Sequence, residues 1–103
     1  MLGPFGKIKS VILQLALLKC ISKGEEYPYS LLKKVNKSNF GKFKIIKSDI
    51  YNAIASLEKK KYIKLTKMRG AKKYYKITKE GRKVLKETRK ILRTTLKEIS
   101  KIL

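Results

Sequence analysis

The stretch from Ile45 to Ile77 constrains the fold more tightly than any other part of this 103-residue chain. Ile50, Ala53, Ile54 and Leu57 recur at spacings of three and four, on one side of a helix running from Ser48 to Lys60. Lys47, Asn52, Ser56 and Lys59 fall on the other side. Two strands follow at once. In Tyr62–Met68, Ile63 and Leu65 alternate with Lys64 and Thr66; in Lys72–Ile77, Tyr75 and Ile77 alternate with Tyr74 and Lys76. Arg69-Gly70-Ala71 between them forms a tight basic turn. Helix, strand, turn, strand is the order of a winged helix-turn-helix, so the expected class is mostly α with a small antiparallel hairpin as the wing. Ser48 is expected to cap the helix through its hydroxyl, with Asp49 against the positive end of the helix dipole.

The flanking segments complete that picture. Ile8, Val11, Ile12, Leu15, Ala16, Leu18 and Ile21 give a first helix a wide apolar face, with Leu13 and Leu17 outside its narrowest part. So much apolar surface fits either a helix buried in a small domain or one that also meets a second subunit. Gly24 closes this helix, and Pro28 opens a second, Tyr29 to Asn36, with Tyr29, Leu32 and Val35 inward. Lys37 to Lys47 reads as a loop whose end, with Phe43, Ile45 and Ile46, pairs briefly as a first short strand. Thr78 caps a last helix, Lys79 to Leu103, about 37 Å long. Leu85, Leu92 and Ile99 fall seven apart on it, with Leu96 and Ile102 between, a coiled-coil-like seam that calls for a partner. The domain plan is thus a DNA-binding unit over 1–78 and a dimerisation helix over 79–103 in the same compact unit. The expected homodimer contact comprises Leu13, Leu17, Leu85, Leu92, Leu96, Ile99 and Ile102.

Charge names the class of partner. The chain carries 28 Lys and Arg against 7 Asp and Glu, a net +21. Self-repulsion on that scale destabilises a compact monomer unless an anion offsets it, and nucleic acid is the natural one. With no histidine and one cysteine, Cys20, a zinc cluster, an intrachain disulfide and the commonest general base are all excluded, and no enzyme activity or cofactor is expected. Cys20 reads as a small apolar side chain or as a redox-sensing thiol. The run Val11–Leu18 is too short to span a bilayer and lacks a cleavage site, so no membrane is expected. The expected location is the cytoplasm of a prokaryotic or archaeal cell, with the nucleoid.

Three segments together resemble the PadR family of winged-helix transcriptional regulators. They are Leu15-Ala-Leu-Leu18 with Tyr27-Pro-Tyr-Ser-Leu-Leu32, Ser48-Asp-Ile-Tyr-Asn-Ala-Ile-Ala-Ser-Leu-Glu58 with Tyr62-Ile63, and Lys73-Tyr-Tyr-Lys-Ile-Thr-Lys-Glu-Gly81. In order and spacing they cover residues 12 to 85. Pro28 stands where that family has glycine, Ser48-Asp49 replaces Gly-Thr, and Lys61 replaces a glycine. The dimeric MarR-type regulators are the second family that the pattern is similar to. The resemblance implies operator binding as a dimer, usually as a repressor. Some members hold flat aromatic effectors between subunits; with no tryptophan here, that pocket is not carried over, and a small-molecule effector stays open.

The expected partner is double-stranded DNA, and its contacts divide by chemistry. Asn52 and Ser56 are assigned to base edges, with Ser48 at the start of the same helix. Tyr51 either reaches a phosphate or packs below. Lys42, Lys44, Lys47, Lys59 and Lys60 are assigned to phosphates, and Arg69, Lys72 and Lys73 at the wing to the backbone or the adjacent minor groove. From Lys42 to Lys76 there are 12 basic residues against Asp49 and Glu58, a local excess of 12 − 2 = +10. Two other classes compete: a non-specific architectural, chromatin-like DNA-binding protein, and a docking subunit of a larger assembly.

Overall fold

A computed structural model describes residues 6–38 and 44–103. Within them the chain runs α1 (Gly6–Ser22), α2 (Pro28–Lys37), α3 (Lys47–Lys59), β1 (Ile63–Arg69), β2 (Lys72–Ile77) and α4 (Lys79–Ile102). It is a winged helix with a long C-terminal helix. Leu13, Leu17, Leu18 and Ile21 of α1 meet Leu31 and Val35 of α2, Ile50, Ile54 and Leu57 of α3, and Ile63, Tyr75 and Ile77 of the hairpin in one core.

Only the last turn of α1 lies in the expected phase, with Leu18 and Ile21 buried. Leu13 and Leu17 are buried in the protomer's own core, whereas Ile8, Val11 and Ile12 are 49%, 54% and 38% exposed. At about 100° per residue, Leu13, Leu17 and Ile21 form one stripe and Ile8, Val11, Ile12 and Leu15 the opposite one. Both stripes are apolar, so periodicity alone does not say which is inside. Leu85 of α4 is likewise spent on the core. Leu13, Leu17 and Leu85, all assigned to the subunit contact, are thus buried within the protomer.

Helix α2 is turned as well. Leu31 and Val35 are buried, Leu32 half-buried, and Tyr29 is 61% exposed, not inward. Its N-terminus is fixed by Ser30, whose Oγ accepts from the Tyr27 N–H (3.1 Å) and lies 2.7 Å from Glu26 Oε1. Glu26 is itself buried and accepts from Lys34, one helical stretch on. That carboxylate holds the Lys34 ammonium above the ordinary lysine range, chiefly through the hydrogen bond.

At α3 the cap falls two residues earlier than expected. Ile46 is the N-cap, and the Asp49 carboxylate accepts from its N–H at 2.9 Å, so Asp49 at the third helical position does the capping and Ser48 stays exposed. The helix ends in a Schellman turn: Tyr62 N–H donates to the Leu57 carbonyl (3.0 Å) and Lys61 N–H to that of Glu58 (2.9 Å), with Lys61 at φ +64°.

The hairpin pairs Ile63 with Ile77 and Arg69 with Lys72, leaving Gly70-Ala71 as a two-residue loop. Gly70 has φ +60°, the first central position of a II′ turn, which a side chain disfavours. A bulge between Leu65 and Lys67 ends the alternation, and past Ile63 the wing leaves the core, so Leu65 is exposed, not inward. The short first strand expected at Ile45–Ile46 does not form: Lys44–Ile46 is irregular, and Glu26 bridges Tyr75 instead, N–H to carbonyl in both directions (3.2 and 2.8 Å). Phe43, also assigned to that strand, lies outside the described residues.

Helix α4 starts at Thr78, whose Oγ1 accepts from the Gly81 N–H at 3.0 Å. Its first turns pack on the domain, and its far half projects beyond it, giving extents of 51 × 31 × 23 Å. Cys20 is half-buried at the core edge; burial, and then the Glu26 carboxylate, push its thiol above the ordinary range, so it is protonated at neutral pH. Among the described residues no helix is long and apolar enough to cross a membrane.

Candidate nucleic-acid interface

One side of α3 is consumed by Ile50, Ala53, Ile54 and Leu57, all buried. The opposite side carries Ser48, Asn52, Ala55 and Lys59, all exposed, with no other segment of the described chain laid across it. A helix of about 10–12 Å diameter with one bare face fits a major groove about 12 Å wide. Ser48 and Asn52 supply donors and acceptors there, and the Ala55 methyl, absent from the sequence-based assignment, suits an apolar contact.

The two flanks of α3 differ. Toward α1, the Gln14 carboxamide oxygen takes long contacts from Ser56 Oγ (3.5 Å) and Lys60 Nζ (3.4 Å), and Asp49 pairs with Lys9 at 3.3 Å. Ser56 is therefore half-buried on the α1 flank and not on the outer face, which corrects its assignment to base edges. Toward α2, Tyr51 is 49% exposed and its ring lies under the Lys47 ammonium, 5.7 Å from the centroid. Tyr29 of α2 is capped in the same way by Lys33, at 5.6 Å. Between them Pro28, Leu32 and Ile50 floor a small apolar cleft of about 260 Å³. Tyr29 and Lys33 were missed from sequence because Tyr29 was given to the core; the available signal was Lys33 four residues after it.

The wing is braced in its outer half, near the turn. Tyr27, before α2, and Tyr74 of β2 stack tilted at 5.2 Å, and Lys67 and Lys72 cover their outer faces at 5.1 and 4.7 Å. Four side chains from three segments thus form one alternating stack. Lys72 is exposed but docked on Tyr27, whereas Arg69 and Lys73 at the wing have no such partner among the described contacts. Lys44, Lys47 and Lys59 are exposed around α3. Lys42 lies outside the described residues.

The family model described as "Transcriptional regulator PadR-like family" matches residues 17–87. No curated protein matches the chain. Among solved structures, a transcriptional regulator from Clostridium thermocellum is 27% identical with a TM-score of 0.82, covering 95% of this chain and 96% of that one. A PadR-like transcriptional regulator from Bacillus cereus is 26% identical with a TM-score of 0.80, over 94% of this chain and 96% of its own. Bacillus subtilis PadR in complex with operator DNA shares the fold at 24% identity and a TM-score of 0.65, over 74% of this chain and 45% of that one.

Proposed function

We propose, from the premise that this chain belongs to the PadR-like family of transcriptional regulators, that it is a homodimeric repressor reading a specific site in double-stranded DNA. The observation that carries the reading is the bare outer face of α3, with Ser48, Asn52 and Ala55 exposed between the Tyr–Lys pairs of the α2 side and the basic wing. The Bacillus subtilis protein of the same fold is solved on operator DNA, which supports DNA as the partner.

Asn52 and Ser48 read base edges, Ala55 meets a thymine methyl, and Lys44, Lys47, Lys59, Arg69 and Lys73 hold phosphates. Two such heads on a two-fold axis meet successive major-groove faces about 34 Å apart, so the operator is a pseudo-palindrome. Selection of binding sites from random duplexes at about 150 mM salt tests this, because at that salt non-specific contacts no longer dominate. A recovered two-fold motif, lost selectively with Asn52→Ala and weakened uniformly with Arg69→Ala, is the expected result. Equal affinity for selected and random duplex would make the protein architectural and overturn the reading.

A further inference from the structure

The wing carries six basic residues and no acidic one: Lys64, Lys67, Arg69, Lys72, Lys73 and Lys76. Beyond the Leu65–Tyr75 pair neither strand has a buried residue, so about four residues of hairpin, roughly 14 Å, stand clear of the core. Two strands alone are marginally stable, and like charges along them add repulsion. An arm of that length that swings by about 15° moves its tip by about 3.5 Å, enough to break a hydrogen bond. Something outside the hairpin has to fix its direction.

The segment before α2 does this. Glu26 and Tyr75 exchange both backbone hydrogen bonds, and the residues on either side of Glu26 reach further along the wing. Glu25 accepts from Thr66 Oγ1 and lies 3.9 Å from the Lys67 ammonium. Tyr27 stacks on Tyr74 and carries Lys72 at 4.7 Å. Three consecutive residues thus grip both strands, and they occupy two of the six cations, Lys67 and Lys72. Arg69 and Lys73, nearer the tip, have no such partner among the described contacts. Every contact in the grip lies within the protomer, and neither the outer stripe of α1 nor the projecting half of α4 takes part in it.

We propose that Glu25-Glu26-Tyr27 is a strap that sets the angle of the wing, with Tyr27 a positioning residue for DNA binding. Together with Glu25 and Lys72 it holds Arg69 and Lys73 at a fixed offset from α3 and takes no phosphate itself. The inference rests on the reading of α3 and the wing as the duplex-binding surface. It assigns Lys72 to the architecture of the wing and not to the DNA backbone. A wing already ordered when the duplex arrives spares that entropy cost on binding, and this is how the strap adds affinity.

Anisotropy titrations of the full chain on a random-sequence duplex of about 20 base pairs, over about 50–200 mM salt, test this. Tyr27→Phe keeps the ring and loses only the hydroxyl, and is expected to bind as wild type. Tyr27→Leu keeps apolar bulk and loses the π face; it is expected to bind about three- to tenfold more weakly. Its salt slope is unchanged, because the wing still makes its phosphate contacts once ordered. Lys72→Ala, at an exposed position that leaves the core intact, is expected to behave like Tyr27→Leu and replaces it should that variant not fold. In an R69A/K73A background the wing has nothing to position, so either substitution changes affinity by less than about 1.5-fold. Damage spread through the fold would cost the same in both backgrounds, and that result overturns the inference. So do wild-type affinity of both single variants, a Tyr27→Phe as weak as Tyr27→Leu, or a salt slope lowered by about one with Lys72→Ala, which would make Lys72 a phosphate contact. Wild type that binds no duplex sinks the DNA reading and this inference with it; duplex binding indifferent to the strap sinks this inference alone.

Discussion

At Lys61 the backbone turns at φ +64°, where a Cβ costs about 1–2 kcal/mol, because the Schellman turn ending α3 needs a left-handed residue. The turn also builds the next helix: the Lys61 carbonyl accepts from Thr78 Oγ1 (2.7 Å), and that of Tyr62 from the Thr78 N–H (3.0 Å). Gly81 lies so close to Tyr62 that a Cβ would collide with its carbonyl oxygen and come within 2.7 Å of Ile77 Cγ1. Lys61→Gly is thus expected to stabilise by about 0–1 kcal/mol, relief of strain less the extra unfolded-state entropy. Gly81→Ala is expected to cost about 2–4 kcal/mol, because backbone cannot yield as a side-chain tip does. Thermal melts check both, at roughly 4–8 °C per kcal/mol for a domain of this size. Sequence marked only Lys61, standing where the family has glycine. It did not show that the turn at Lys61–Tyr62 packs on Thr78 and Gly81. The cap of α3 was misplaced for a local reason: Ser48 and Asp49 are both good caps, and only the position of the Ile46 N–H decides between them.

Helices whose two sides differ were legible, and the one whose sides match was not. In α3 Ile50, Ala53, Ile54 and Leu57 all fell on the buried face, because the opposite one is mostly polar. In α1 two opposed stripes are apolar, so spacing carried no phase, and Leu13 and Leu17 lie buried in the protomer's own core. The wing followed the same logic: Tyr75 and Ile77 alternate where the sheet lies on the core, and the pattern fails past the bulge where it does not. The isolated bridge of Glu26 to Tyr75 beside the hairpin is a contact between distant segments with no local signal. Tyr29 and Lys33 extend the proposed interface from α3 onto α2. Tyr29 is 61% exposed, so Tyr29→Ala should change stability by no more than about 0.5 kcal/mol. It should weaken duplex binding about three- to tenfold on every sequence, and Lys33→Ala should reduce the salt slope by about one. Anisotropy titrations at several salt concentrations read both; an unchanged Kd for Tyr29→Ala would remove α2 from the interface.

Shape and charge pull the whole molecule in opposite directions. The chain exposes 7875 Å², against about 6,000 Å² for a compact monomer of 11.9 kDa. The surplus of roughly 1,900 Å² exceeds the about 800 Å² that each partner buries in a standard interface. It includes the outer stripe of α1 (Ile8, Val11, Ile12) and the projecting half of α4, where Leu92, Leu96, Ile99 and Ile102 are 40%, 61%, 42% and 84% exposed. Burying these against a second copy is the hydrophobic gain that would drive the proposed homodimer, and bringing together two molecules of net +21 opposes it. The two contributions respond differently to salt, since screening weakens the repulsion and leaves apolar burial almost untouched. Dimerisation should therefore tighten as KCl rises from about 50 to 500 mM, while affinity for duplex falls over the same range. Leu96→Ser with Ile99→Ser should shift the equilibrium toward monomer at every salt concentration without lowering the melting temperature of the monomer, because both side chains are already in water there. Sedimentation equilibrium of the two proteins across that series decides the matter. A dimer that loosens with salt would mean that ion pairs hold the subunits, and the apolar stripes of α1 and α4 would need another occupant.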